Sequence, residues 1–95
     1  MTKAELIDEV ARQTGIERLT VEKVFKASLN VIKDTLISGD SCYFRGFGTF
    51  FPKLRAAKKA RNISKGISVS IPAHYVACYK AGTEVDKGMK QLKVK

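Results

Sequence analysis

The chain has 95 residues, of which 44% are hydrophobic, and its 18 basic and 9 acidic side chains give a formal net charge of +9 at pH 7. This composition excludes an intrinsically disordered chain and favours one small folded domain, while the excess of positive charge favours a polyanionic partner. The sequence has no apolar run of membrane-spanning length, no signal peptide, and no cysteine spacing typical of a metal site or a secreted disulfide scaffold, so we expect a reduced, cytoplasmic protein.

The first forty residues are typical of a helical hairpin. Residues 2–5 form a capping-box pattern, apolar residues follow at helical spacing, and Gly15 stands where a helix needs a left-handed C-terminal residue. These signals predict a first helix over about 3–14. A second apolar stripe predicts a helix over 18–38, which Gly39 ends.

Beyond the helices the apolar pattern changes from a helical period to alternation. The stretch SCYFRGFGTFFPKLR is rich in aromatic residues, and its two glycines around a phenylalanine predict a strand, a tight turn and a second strand. From Phe51 the second strand continues past what a small core can cover. A turn at 62–66 and an alternating return strand over 67–71 therefore predict a long two-stranded ribbon.

After the ribbon the chain returns to the body of the protein and ends in a helix. The sequence Thr-Glu-Val-Asp at 83–86 places two acidic residues in a first helical turn, where they favour the helix dipole. We therefore expect one α+β domain over residues 1–95, built from a helical hairpin (1–40), an antiparallel three-stranded sheet with a protruding ribbon arm (41–82), and a short C-terminal helix (83–95).

The charge is segregated along the chain. Residues 1–52 carry seven basic and seven acidic side chains, whereas residues 53–95 carry eleven basic and two acidic ones. Within 53–82 there are seven basic residues and no acid. A neutral scaffold joined to a segment of one sign is typical of a polyanion-binding surface. Alternation predicts that Lys53, Arg55, Ala57, Lys59 and Arg61 share one face of the ribbon.

One apolar residue, Ile63, interrupts the basic stretch KKARNISKG at the predicted ribbon tip. An apolar wedge at such a tip inserts into a base step and kinks the duplex in some minor-groove binders. Packing of the same side chain against its own hairpin or on a partner's surface explains it equally well. The residue types alone leave both interpretations open.

The stretch GFGTF…R…ARN, followed by a turn glycine, IP and AGT, resembles the bacterial HU and integration host factor family of DNA-bending proteins. The resemblance covers nearly the whole chain. It implies an intertwined homodimer or heterodimer whose two ribbons embrace DNA through the minor groove. The chain departs from the family pattern at three positions. Ile63 replaces the family's proline that inserts between base pairs. Ala60 replaces a glycine that is usual in the family, and Ala77 replaces a proline that is usual there.

The resemblance also implies two groups of functional residues. The first group would contact DNA through phosphate, groove and turn amides, with Ile63 as the wedge: Lys3, Gly46, Gly48, Lys53, Arg55, Lys58, Lys59, Arg61, Asn62, Ile63, Lys65, Lys80 and Lys87. The second group would form the core of the dimer: Leu29, Ile32, Leu36, Phe47, Phe50 and Tyr79.

Patterns for catalysis are poor. His74 stands without a nearby carboxylate pattern and is interpreted as a structural or exposed residue, and no Gly-rich phosphate loop leads from a strand into a helix. We expect no enzymatic activity, metal, cofactor, small-molecule substrate or membrane partner.

The sequence therefore predicts an architectural protein of the bacterial nucleoid that binds and bends duplex DNA largely without sequence specificity. Two alternatives stay open: a sequence-selective bender resembling integration host factor, and a protein that coats RNA or other polyanions by charge alone. Bending distinguishes the architectural protein from one that coats polyanions by charge alone, since coating by charge predicts no bend.

Overall fold

The computed structural model describes residues 1–62 and 66–94, and of residues 60–62, 67 and 68 only the backbone is described. The helices and strands give the α+β fold that the sequence predicts, in the order α1 (Lys3–Thr14), α2 (Arg18–Ile37), β1 (Cys42–Phe44), β2 (Gly48–Arg55), β3 (Lys58–Asn62), β4 (Ile67–Ile71), β5 (His74–Ala81) and α3 (Thr83–Lys90). The chain divides into two compact units, Met1–Asp34 and Thr35–Lys95. No helix in the described ranges is both long and apolar enough to cross a membrane.

Helix α1 has the ends that the sequence predicts. The Thr2 hydroxyl accepts a hydrogen bond of 3.2 Å from the backbone amide of Glu5, which satisfies one of the free amides of the first turn. At the other end Gly15 adopts a left-handed conformation (φ 71°) and donates its amide to the Ala11 carbonyl at 2.9 Å. Both boundaries follow from local chemistry, which is why the sequence alone located them.

The first unit buries few apolar side chains. Ile7 of α1 and Val21 of α2 are the buried hydrophobic residues of the described chain. The side chain of Arg18 donates a hydrogen bond to the Asp8 carboxylate, and this contact raises the pKa of Arg18. Because this ion pair is exposed to solvent, it adds little to stability. The interior of this unit therefore depends on very few apolar contacts.

Helix α2 ends at a glycine, as its sequence predicts. Gly39 (φ 91°) donates its amide to the Leu36 carbonyl at 3.0 Å, and the amide of Asp40 donates to the Thr35 carbonyl at 3.1 Å. This pair of bonds is a Schellman motif, which satisfies carbonyl groups that would otherwise be free at the end of the helix.

The sheet of the second unit has the strand order β1-β2-β5 with antiparallel pairing throughout. A turn over residues 45–47 connects β1 to β2, and the amide of Phe47 donates to the Phe44 carbonyl at 3.0 Å. Strand β2 is therefore central, and β5 returns along its full length, from Gly48 opposite Ala81 to Arg55 opposite His74.

The ribbon continues the same strand pair with an interruption. Strands β3 and β4 pair from Lys58 opposite Ile71 to Asn62 opposite Ile67. Two residues on each side, 56–57 and 72–73, separate this pair from the sheet, whereas the sequence predicts one uninterrupted ribbon. Pro72 lies in the break and has no amide hydrogen to donate to the opposite strand. Because the break contains the same number of residues on each strand, the strand register is the same before and after it.

Helix α3 is shorter than the segment 83–95 that the sequence assigns to it. It ends at Lys90, where the amides of Gln91 and Leu92 donate to the carbonyls of Gly88 and Met89, three residues back, at 3.2 and 3.1 Å. Such bonds tighten the last turn and satisfy carbonyls that the helix leaves free.

Candidate nucleic-acid interface

The turn between β1 and β2 depends on two glycines. Gly46 (φ 83°) and Gly48 (φ 146°) occupy backbone conformations that side chains rarely adopt. A Cβ at Gly48 would also lie 2.7 Å from a ring carbon of Tyr79 and against the Lys80 carbonyl oxygen. Gly48 is buried, and because it has no side chain the turn can approach β5 closely.

The carbonyl oxygen of Phe47, at the centre of this turn, accepts two hydrogen bonds. The Tyr79 hydroxyl donates one at 2.7 Å, and the Gly82 amide donates the other at 2.8 Å. A Cβ at Gly82 would lie 2.6 Å from the Gly46 carbonyl oxygen, so a third glycine is needed where the turn meets the start of α3. The turn, the end of β5 and the first residue before α3 are thus held together.

An open concavity of about 250 Å³ lies beside this junction, and its lining includes Gly46, Thr49, Lys80, Gly82 and Thr83. The first-turn amides of a helix point outward and attract anions, and Lys80 adds a full positive charge. The concavity therefore has the chemistry of a surface that receives a phosphate group.

A carboxylate lies close to the same junction. The Glu84 oxygens are 3.2 and 3.7 Å from the position that a Cβ on Gly46 would occupy, so this side chain covers the turn. Asp86 is paired with Lys90 at 3.3 Å, whereas Glu84 forms no ion pair with any described residue. Its negative charge would repel an anion at the turn.

The basic face predicted from alternation is present in the sheet. Thr49, Lys53 and Arg55 lie on one face of β2, and their cross-strand partners Lys80, Val76 and His74 share it. The three basic side chains of this set, Lys53, Arg55 and Lys80, are exposed and form no ion pair in the described part of the chain. Their charges are therefore free to attract a polyanion.

The ribbon continues this surface past the break. Lys59 is exposed and lies opposite Ser70, whereas Lys58, also exposed, lies opposite Ile71 on the other face of the ribbon. The backbones of Arg61 and Asn62 pair with those of Ser68 and Ile67. The proposed wedge Ile63 and the basic residue Lys65 lie outside the described residues, so their roles stay predictions.

Two further predicted contacts lie on helices. Lys87 is exposed on α3, and Lys3 is exposed at the start of α1 in the first unit. Each stays a prediction of a DNA contact, and each is positioned by a helix and not by the sheet.

Two residues that the sequence did not assign to DNA binding lie beside this surface. Arg45 is exposed in the turn next to Gly46, although the charge count placed it in the neutral half of the chain. His74 is exposed and lies directly opposite Arg55. Adjacency to the turn glycines could have revealed Arg45, whereas the position of His74 depends on strand register, which no local signal gives.

An aromatic cluster of Phe44, Phe47, Phe50 and Tyr79 packs beside the junction. The ring centroids of Phe50 and Tyr79 are 5.1 Å apart, and those of Phe47 and Tyr79 are 5.5 Å apart. Phe47 nevertheless remains 51% exposed and Tyr79 42% exposed. Large apolar patches left open by one chain are typical of surfaces that a partner covers.

The other residues predicted for a dimer core lie on α2. Leu29 is 44% exposed, and Ile32 and Leu36 are half-buried. They are thus available to a partner in the same way as the aromatic cluster, and their place in a dimer core stays a prediction.

Features that would support other chemistry are weak in this structure. Within residues 1–62 and 66–94, no three His, Cys, Asp or Glu side chains form a group that could hold a metal ion. Cys42 and Cys78 are free and half-buried. Cys42 lies opposite Phe50 and Cys78 opposite Phe51, so the two thiols belong to opposite faces of the sheet.

Comparisons with known proteins agree with this geometry. The family model described as bacterial DNA-binding protein matches residues 1–90. The chain is 38% identical over 89 residues to DNA-binding protein HU of Campylobacter jejuni, covering 94% of this chain and 91% of the relative. It is 41% identical over 86 residues to the integration host factor beta subunit of Shewanella pealeana, covering 90% of each. Its fold matches Anabaena HU from a cocrystal with DNA with a TM-score of 0.90, at 30% identity, covering 97% of this chain and 100% of the other.

Proposed function

The chain belongs to the family of bacterial DNA-binding proteins that includes HU and the integration host factor subunits, and on that premise we propose that it binds duplex DNA with its basic face and bends it. It is a DNA-binding architectural protein, and we propose which of its surfaces binds and bends the duplex. The observation that carries the proposal is the row of exposed cations at Lys53, Arg55 and Lys80, which form no ion pair among the described residues and are followed by Lys59 on the ribbon.

The free charges give the binding its driving force. A lysine or arginine already paired with a carboxylate gains little from a phosphate, because the pair must first be broken. Unpaired cations instead displace counterions condensed on the duplex, and the released ions favour binding in a salt-dependent way. Contacts of this kind position a protein on DNA without reading its sequence. We therefore propose that binding is largely nonspecific.

Bending needs two such surfaces acting on one duplex, and we propose that a homodimer supplies them. The exposed aromatic rings of Phe47 and Tyr79 and the scarcity of buried apolar side chains in the described chain support an obligate partner. A second copy of this chain provides a matching patch by symmetry. A related chain could take the same place, so the oligomer formed by the purified chain alone decides between a homodimer and a heterodimer.

Two-stranded ribbons bind in the grooves of DNA, and we propose that this one enters the minor groove. The strand pair carries an exposed lysine on each face, Lys59 opposite Ser70 and Lys58 opposite Ile71. Two ribbons, one from each protomer, would then hold the duplex on both sides and stabilise it in a bent form. Such a protein belongs with the DNA of the bacterial nucleoid, where we propose that it organises and compacts the duplex.

Energy transfer between the two ends of a labelled random-sequence duplex tests the proposal. The wild-type protein at saturation is expected to bring the ends closer together, and the logarithm of the binding constant is expected to fall linearly with the logarithm of salt concentration. Each phosphate that the protein neutralises adds about −0.9 to that slope. Replacing Lys53 and Lys59 by glutamine should make the slope less negative by about 0.9 for each phosphate that is no longer neutralised.

A matched control removes the same charge elsewhere. Lys23→Gln with Lys26→Gln lowers the net charge equally at exposed positions of α2, a helix that carries none of the basic residues assigned to the sheet and ribbon. This control should bind and bend as the wild type does. Equal losses in both double variants would show that only total charge matters, and binding of the wild type without any bend would overturn the architectural proposal.

A further inference from the structure

His74 occupies a specific place on the basic face. It is the first residue of β5, it is exposed, and it lies directly opposite Arg55 of β2. Residues paired in this way in an antiparallel sheet have side chains on the same face, with Cβ atoms about 5 Å apart. The ring therefore lies at the end of the sheet that leads into the ribbon, among the cations assigned to DNA binding.

The hydrogen bond made by the ring determines which nitrogen is available to a ligand. Nδ1 of His74 lies 3.0 Å from the backbone carbonyl oxygen of Pro72. A carbonyl only accepts hydrogen bonds, so Nδ1 must carry the proton in this arrangement. Nε2 then has a free lone pair, and it is the atom that takes up a second proton. Protonation converts His74 from an acceptor at Nε2 into a cationic donor without disturbing the bond to Pro72.

The charged side chains that share the face of His74 in the described sheet are all basic. Arg55 faces it from β2, Lys53 lies on the same face of β2, and Lys80 lies on the same face of β5. Beyond the break, Lys59 is an exposed cation of the ribbon. No carboxylate forms an ion pair with His74 within the described residues. Like charges directly opposite each other repel, so an imidazolium here needs an anion between it and Arg55.

We propose that His74 is a DNA-contact residue that binds a backbone phosphate as an imidazolium together with Arg55, so that DNA binding takes up protons near neutral pH. This inference rests on the proposed function. Histidine is the side chain whose charge ordinarily changes between about pH 5 and pH 8. A phosphate between His74 and Arg55 turns their mutual repulsion into two attractions, and the bound state therefore holds the proton more strongly than the free state.

The direction of the pH effect follows from this difference. The DNA complex binds more protons than free protein and free DNA do, so lowering the pH favours the complex. The gain in DNA affinity is complete at pH values low enough for His74 to be protonated already in the free protein. It disappears as rising pH removes the proton from the complex.

The test measures binding to a random-sequence duplex at about pH 6 and about pH 8, at constant ionic strength, by fluorescence anisotropy. For the wild type we expect affinity several-fold higher at the lower pH. The salt slope should become more negative by about 0.9 for each additional phosphate neutralised, or about 1.8 for a homodimer. His74→Gln should bind equally at both pH values, with the affinity of the wild type at pH 8. His74→Lys should bind equally at both, with an affinity close to that of the wild type at pH 6.

Calorimetry in two buffers with different ionisation enthalpies counts the protons directly. His74 is the single histidine of the chain, and the α-amino group is the same in both proteins, so the difference in proton uptake between wild type and His74→Gln is assigned to this ring. Thermal unfolding of each variant without DNA separates a weakened fold from weakened phosphate binding.

The possible outcomes distinguish the two proposals. Equal wild-type affinity and salt slope at both pH values would overturn the role of His74 and leave the proposed function intact. Equal pH dependence of the wild type and His74→Gln would overturn it in the same way. Failure of the wild type to bind duplex at either pH would overturn the proposed function, and with it this inference.

Discussion

The hydroxyl of Tyr79 donates a hydrogen bond of 2.7 Å to the backbone carbonyl oxygen of Phe47, across 32 positions of sequence. The bond joins the last part of β5 to the turn between β1 and β2, where the proposed phosphate-binding concavity lies. Because the rings of the same two residues also pack together, this pair holds both the turn and the apolar cluster in place.

Tyr79→Phe is expected to remove this bond while keeping the ring. The Phe47 carbonyl retains its bond from Gly82, so the expected cost is about 1 kcal/mol in the free energy of unfolding. Urea denaturation at fixed protein concentration measures it. Tyr75→Phe is the matched control, since Tyr75 is 70% exposed and its hydroxyl forms no hydrogen bond with the residues that the structure describes. Equal small effects in the two variants would mean that the Tyr79 bond does not contribute.

Gly48→Ala is expected to destabilise the protein strongly. The residue has a φ of 146°, and a methyl group there would lie 2.7 Å from the Tyr79 ring and against the Lys80 carbonyl. A cost of at least about 2 kcal/mol follows from the strain and the clash together. Gly88→Ala provides the opposite case, because nothing lies within 4 Å of the added methyl group in the helix. It should stabilise the protein by about 0.5–1 kcal/mol, and thermal unfolding of both variants checks the contrast.

Glu84→Gln is expected to increase DNA affinity. Its carboxylate covers the Gly46 turn without an ion-pair partner among the described residues, so neutralising it removes a charge that repels phosphate. We expect affinity about two- to five-fold higher at low salt, with a smaller gain as salt screens the charge. Stability should fall slightly, since Glu84 favours the dipole at the start of α3.

Asp86→Asn controls for the loss of a negative charge on the same helix. Asp86 is paired with Lys90 at 3.3 Å, so its removal frees a cation and should also strengthen binding at low salt. Hydrogen exchange in the DNA complex distinguishes the two variants, because only Glu84→Gln should change the protection of the turn amides. An unchanged affinity for Glu84→Gln would contradict the proposed role of the concavity.

Ile63→Ala tests the wedge predicted from the sequence. An inserted apolar side chain partly unstacks a base step and kinks the duplex, so its loss should reduce the bend at saturation more than it reduces affinity. Energy transfer across a labelled duplex measures the bend. Val69→Ala is the control, since it truncates an apolar residue of the ribbon that pairs across from Ala60. An equal bend for wild type and Ile63→Ala would assign the bending to the charged face alone.

Local signals account for the parts of the fold that the sequence predicted well. The Thr2 cap, the left-handed Gly15 and the Gly39 end of α2 all depend on bonds between residues within five positions of each other. Alternation likewise located the basic face, because side chains of a strand point alternately to its two sides. The end of α3 was placed too late, since the tightening of its last turn has no strong sequence signal.

The composition and order of the residues determined which elements form, which face of the ribbon is basic, and to which family the chain belongs. Only the tertiary structure decided what meets across those elements: Tyr79 with Phe47, Glu84 over Gly46, and His74 opposite Arg55. Backbone capping and alternation operate over a few residues and are therefore visible in a sequence. The register of two strands joined by a distant turn sets long-range pairs, and it is fixed by the packing of the whole sheet.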